Sequence, residues 1–179
     1  ALVARSVAPI VEKVKGSVVN LQTTKVVHES YYGSDYDLYL QYFYGIPPRT
    51  VERKQSALGS GFLYDKSGLI VTNNHVIENM DEIAVIFEEN DKTFIAKVVG
   101  KDRKTDIALL RIQGKQKFKT VKIGNSDKVK IGDIAIAVGN PFGLQNTVTA
   151  GIISGKNRTI GQGPYDDFLQ TDASINPGN

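Results

Sequence analysis

Apolar residues recur along this chain in two rhythms. Leu2, Val3, Val7, Ile10, Val11 and Val14 fall at helical spacing, and Lys15-Gly16 closes the pattern. Pro9 lies inside it, so residues 1–16 are expected to hold a short or interrupted helix. From Ser17 the rhythm shortens to that of strands. Ser17–Val27, rich in Val and Thr, predicts the first. Gly59–Tyr64 and Leu69–Thr72 predict two more, joined by the turn Asp65-Lys66-Ser67-Gly68. Further strands are expected at 83–88, 93–99 and 106–112. Short strands at such spacing, joined by turns, argue for an all-β barrel over 17–112.

Residues 28–56 break the pattern. They carry Tyr31, Tyr32, Tyr36, Tyr39, Tyr42 and Tyr44, six of the chain's eight tyrosines, with Phe43 and Pro47-Pro48. The segment reads as a long loop, and loops of that length inside a compact domain are usually functional or disordered. It is either a floppy insertion or a regulatory or interface loop, since clustered Tyr and Phe suit burial against a partner. His28 reads as a half-exposed residue at a strand end, not as a ligand.

Residues 113–122 predict a crossover linker, and a second β unit begins at Ile131–Val138. It turns through Gly139-Asn140-Pro141-Phe142-Gly143, returns along Thr147–Gly155, passes a polar loop at 156–167 and re-enters a strand at Phe168–Thr171. Only about three strands of a second barrel can be counted in 113–179. That leaves edge groups unpaired, so the sequence is expected to end within a domain.

Composition narrows the classes. A chain of 179 residues can form one domain or two small barrels sharing an interface, and its 41% hydrophobic and 23% charged content is ordinary for a globular protein. No apolar run reaches the roughly 18 residues of a membrane span. Residues 1–14 lack a signal-peptide core, so the chain reads as mature. The net charge is +3 and the pI about 9.0, but the lysine clusters at 101–104 and 115–122 lack aromatic interleaving and read as solvated linkers, not a nucleic-acid surface. The absence of cysteine removes disulfides, thiolate metal sites and a nucleophilic Cys within these residues. No His/Asp/Glu cluster has metal-ligand spacing, and no metal or other cofactor is expected. Gly151–Lys156 is too short between its glycines for a phosphate loop. Asn157-Arg158-Thr159 fits a glycosylation acceptor, relevant only in a eukaryotic secretory setting.

The chemistry lies in three separated segments. Thr72-Asn73-Asn74-His75-Val76-Ile77 ends a strand with the only credible base, because imidazole titrates near neutrality. Thr105-Asp106-Ile107-Ala108-Leu109-Leu110 puts a carboxylate at a strand start, where it either caps a turn or orients that base. Gln170-Thr171-Asp172-Ala173-Ser174-Ile175-Asn176-Pro177-Gly178-Asn179 ends in a tight turn, with Pro presetting φ and Gly tolerating positive φ. His, Asp and a Gly-Asn turn, in that order, are what a His…Asp…Ser protease of the chymotrypsin type supplies.

These segments, with Val138-Gly139-Asn140-Pro141-Phe142-Gly143-Leu144, closely resemble the HtrA (Deg) family of serine endopeptidases, and the similarity runs over most of the chain after Ser17. The resemblance implies a chymotrypsin-like double β-barrel with its site in the crevice between barrels. It implies His75 as general base, Asp106 as its orienting carboxylate, and Gly178 and Asn179 as backbone donors of the oxyanion hole. It puts Ile175 in an S1 pocket favouring small aliphatic side chains, and makes Arg158 a relay of activating signals. Tyr31, Tyr32, Tyr36, Tyr39, Tyr42, Phe43 and Tyr44 fall in the family's regulatory loop.

Family members are extracytoplasmic or organellar quality-control proteases. The implied protein is therefore a periplasmic, ATP-independent homotrimer acting on unfolded or misfolded proteins, with PDZ domains beyond these residues. Membrane association through a segment absent here is also open. The family's Ser-Gly-Gly is expected immediately after Asn179, so residues 1–179 alone are expected to be inert. Two alternatives stay open: a non-catalytic, chaperone-like or scaffolding relative, and a cysteine protease of the same fold with Cys after the turn.

Overall fold

A computed structural model describes residues 6–31, 35–45, 47, 49–87, 92–114, 117–139, 147–161 and 164–175. The first helix, α1 (Ala8–Val14), has Pro9 in its opening turn, where the missing N–H costs nothing. Pro9 starts the helix and does not interrupt it. A 3-10 turn at Lys15–Ser17 leads into β1 (Val18–Tyr31).

Six strands then close into an antiparallel barrel in the order β1-β2-β3-β6-β5-β4. They are β1, β2 (Arg49–Leu63), β3 (Leu69–Asn73), β4 (Glu82–Phe87), β5 (Lys92–Asp102) and β6 (Ile107–Ile112). Closure comes from β1 against β4, with Asn20 opposite Ile86 and Thr24 opposite Glu82. Strand alternation sends Val19, Leu21, Leu63, Ile70, Val85 and Leu110 inward. One mouth is plugged by rings: Phe118, from the segment after β6, stacks on Phe87 at 5.4 Å and meets Phe94 edge-on at 6.0 Å. The turn at Gly68 has φ +91°, and Phe118 lies against it, so both its backbone and its packing require glycine.

The segment expected as a long loop at 28–56 is not one. β1 and β2 stay paired past the barrel for seven more residue pairs, from Lys25–Gln55 to Tyr31–Arg49. They form an arm roughly 23 Å long at about 3.3 Å per residue. Residues 35–44 fold as helix α2 (Asp35–Tyr44), with no side chain buried. Tyr36, Tyr39, Tyr42, Phe43 and Tyr44 are therefore on a helix, while Tyr32 lies outside the described residues and Tyr31 ends β1.

The second unit is a three-stranded antiparallel sheet in the order β7-β8-β9, comprising β7 (Ile134–Gly139), β8 (Thr147–Arg158) and β9 (Phe168–Thr171). It faces the barrel across an apolar groove of about 670 Å³, with Phe62, Val71 and Ile107 on one side and Ile123, Ile136 and Val138 on the other. A closed antiparallel barrel followed by a partial second β unit is the chymotrypsin-like arrangement. No helix among the described residues is long and apolar enough to cross a membrane.

Candidate active site

Strand register brings the two site segments together. β3 and β6 are neighbours, with Thr72 opposite Ala108 and Asn73 opposite Ile107. The residues leaving β3 therefore stand beside the residue entering β6. After Asn73 the chain makes one helical turn, α3 (Asn74–Ile77), carrying His75. Ile77 is buried in the barrel core, which seats that turn.

Asp106 holds α3 with both its backbone and its side chain. Its φ is +53°, a left-handed conformation that Asp tolerates better than most residues. Its carbonyl accepts from the Asn74 N–H at 3.0 Å, and its Oδ1 accepts from the His75 N–H at 2.9 Å. Oδ2 lies 2.7 Å from His75 Nδ1. Burial pushes the Asp106 carboxyl up, but the His75 N–H, the His75 ring and the Asn73 amide together outweigh it and hold the group below its usual value. An ionised carboxylate only accepts, so Nδ1 carries a proton, and in the neutral imidazole the lone pair is then on Nε2. That is the tautomer of a general base.

The turn before Asp106 is stiffened by Asp102, whose carboxylate accepts from the Lys104 N–H at 2.9 Å and the Thr105 hydroxyl at 3.0 Å. Arg103 Nε pairs with Glu78 Oε1 at 3.0 Å, tying this turn to the end of α3. His75 opens onto a cleft of about 510 Å³ whose far wall is Tyr165, Asp166 and Phe168, from the second unit. The site thus lies between the two β units. No group of three or more His, Asp or Glu among the described residues could hold a metal ion.

The other expected site residues are less concentrated. Ile175 is 60% exposed and is not among the residues lining the His75 cleft. It follows a well-anchored stretch: the Asp172 carboxylate accepts from the Ile152 N–H at 2.7 Å, Ala173 is buried, and the Thr149 hydroxyl donates to the Ser174 carbonyl at 2.7 Å. Arg158 ends β8 opposite Phe168, and its Nε donates to Gln170 Oε1 at 2.8 Å. Gly178 and Asn179 lie outside the described residues. Sequence reasoning missed Asn73, Arg103 and Glu78. For Asn73 the signal was there, in the doubled Asn before His75.

A closed antiparallel barrel carrying a His–Asp pair at its rim, with a second β unit across the cleft, defines a chymotrypsin-like hydrolase domain. The model for the trypsin-like peptidase domain matches residues 59–179. The chain belongs to that peptidase family and, within it, to the HtrA proteases. A probable periplasmic serine endoprotease, DegP-like, from Rhizobium meliloti (strain 1021) is 53% identical over 69% of this chain and 24% of its own length. A DegP-like relative from Pseudomonas fulva (strain 12-X) is 38% identical over 96% of this chain and 39% of its own. Among solved structures, the HtrA-type protease AlgW with tripeptide superposes with a TM-score of 0.77 at 36% identity, over 97% of this chain and 48% of that one. The chain thus spans 24% and 39% of the length of these two curated relatives.

Proposed function

We propose that these residues belong to an ATP-independent serine endopeptidase that cleaves unfolded or misfolded proteins, with a serine directly after Asn179 as nucleophile. The reading is carried by the 2.7 Å contact between His75 Nδ1 and Asp106 Oδ2, which leaves Nε2 free as an acceptor. In the reaction Nε2 takes the serine proton as Oγ attacks the peptide carbonyl, and later gives it to the leaving amine. Asp106 holds the ring and stabilises the imidazolium without itself taking the proton. The backbone N–H groups near Gly178 and Asn179 stabilise the oxyanion, and Ile175 lines a small S1 pocket. Arg158 and the Tyr-rich arm regulate the site. The protein works as a homotrimer in the periplasm or another extracytoplasmic space and carries PDZ domains beyond these residues. The relatives named periplasmic endoproteases support that location.

The test uses the full-length protein. Casein cleavage, covalent labelling by a fluorophosphonate, and peptide mapping of the label to the residue after Asn179 are expected, all lost in His75→Ala. Binding of unfolded casein without cleavage or labelling would overturn the reading in favour of a holding function.

A further inference from the structure

Asn73 ends β3 and stands at the N-cap of α3, with φ −80° and ψ 145°. An Asn there ordinarily turns its side-chain oxygen onto the first amides of its own helix. Asn73 makes no such bond. Those amides belong to Asp106, which accepts from both Asn74 N–H and His75 N–H. The Asn73 amide is aimed the other way, with Nδ2 at 3.1 Å from Asp106 Oδ2 and 3.2 Å from the Asp106 carbonyl. Both neighbours only accept, so the NH₂ end must face them and a flipped amide is excluded. We propose that Asn73 is a positioning residue for the reaction: its amide clamps Asp106 Oδ2 and fixes how the carboxylate meets His75 Nδ1. This rests on the reading of His75 as the base.

The clamp acts in two ways. Oδ2 offers lone pairs on two sides, and with Nδ1–H on one and Asn73 on the other the carboxylate cannot turn without losing a charge-assisted bond. Donation from Asn73 also stabilises the ionised carboxylate and tempers its pull on the imidazolium. Removing the donor makes the carboxylate more basic, which favours protonated His75 and moves its titration to higher pH. A carboxylate at position 73 removes the donor and adds negative charge, so it moves the titration further the same way. Glu78 with its partner Arg103, Lys104, Tyr165 and Asp166 line the same cleft and stay unchanged in every variant, so their effects cancel in the comparison. Asn73 is exposed, so water partly replaces the lost bond and the effect is graded.

The experiment compares full-length wild type, Asn73→Ala and Asn73→Asp. It follows the His75 imidazole by ¹⁵N NMR titration and kcat/KM on a peptide substrate against pH. In Asn73→Ala the His75 titration and the acid limb of kcat/KM are expected to move together to higher pH. Its kcat is expected to fall roughly tenfold, with KM within about twofold. Asn73→Asp, of the same shape, should shift further and covers the case where the Ala variant fails to fold. Titrations that superimpose on wild type in folded variants would overturn the proposal. An inactive wild type speaks against the protease reading alone, because the NMR titration reports the clamp whether or not peptide is cut.

Discussion

Gly59 of β2 lies directly under Val76 of α3, the residue after the proposed base. A β-carbon on Gly59 would come within 2.6 Å of Val76 Cγ1 and 2.8 Å of Cγ2. Both methyls of a β-branched side chain are in the way, and rotation about its stiff χ1 exchanges one clash for another. Gly59 has no positive φ, so packing alone requires glycine here. The absence of that side chain lets Val76, and with it the turn that carries His75, pack closely against β2.

Gly59→Ala is therefore expected to destabilise the full-length enzyme by about 1–3 kcal/mol through overpacking. It should also lower kcat by roughly tenfold or more by lifting His75. The control is Gly59→Ala with Val76→Ala, which removes the clash and should recover most of the loss. Thermal unfolding and peptide hydrolysis measured on the single and double variants check this. A single variant within twofold of wild-type kcat would mean α3 absorbs the change without moving His75.

Asp106→Asn tests the carboxylate itself. An amide oxygen can still accept from one neighbour, but its NH₂ must then face an N–H of His75 or the amide of Asn73, all donors. The ring then favours the wrong tautomer. By analogy with the serine-protease template, where that change was measured on another enzyme, kcat should fall by roughly 10⁴ with the fold retained. Loss of less than about tenfold would show that another group orients His75.

Much of this was legible in sequence because the barrel alternates cleanly. β3, β4 and β6 each present a buried stripe with exposed or half-buried residues between, which period-two reading detects. The arm gave no such contrast. Residues 51–56 are exposed on both faces, so nothing in their polarity marks a strand. What holds them is pairing with β1, and pairing register is not written in polarity. Helix α2 was missed for a related reason: Tyr36, Tyr39, Tyr42, Phe43 and Tyr44 are all exposed, and no polar face sets off an apolar one. Phe118 read as part of a linker, yet it plugs the barrel, because a single ring in a lysine-rich stretch has no period. At the site, His75 and Asp106 were found by residue type and order. The doubled Asn before His75 marks a polar residue there, but the direction of the Asn73 amide is shown only by its Nδ2 contacts with Asp106.

Acid should weaken the fold at identifiable carboxylates. Asp65 is held below its usual value chiefly by the Ser67 hydroxyl, then by the Leu69 and Ser67 N–H groups. Asp102 is held down by Lys104 N–H and the Thr105 hydroxyl, and Asp106 by the His75 bonds against its burial. A carboxyl whose folded pKa is depressed contributes stability that is full above its unfolded pKa and lost as pH falls through the folded one. The melting temperature is therefore expected to hold near neutrality and fall below about pH 4. Asp65→Asn should lower the neutral value and flatten that acid decline. An acid decline identical to wild type would show that the Asp65 turn does not drive it.

The arm gives the last prediction. Beyond Thr24 it leaves the barrel, and its tip helix carries Tyr39, Tyr42, Phe43 and Tyr44 in mutual contact, with Tyr39 and Phe43 centroids 4.6 Å apart. Two isolated strands are at best marginally stable in water, and an exposed ring cluster is a surface that soluble monomers avoid. The rings contribute nothing to the barrel core, so they cannot be there to stabilise it. We predict that they make a contact, with the protein's own cleft or with a neighbouring subunit. Replacing residues 31–46 by a short Gly-Ser linker in the full-length enzyme should shift the barrel's melting temperature by no more than about 3 °C, since none of the described side chains there belongs to the core. Basal peptidase activity should rise if the tip covers the cleft, and the oligomer should dissociate if the tip joins subunits. Hydrolysis rates and light scattering on the same preparation separate these results. Wild-type values for both would make the arm a passive spacer, whose aromatic rings would then have no role in control.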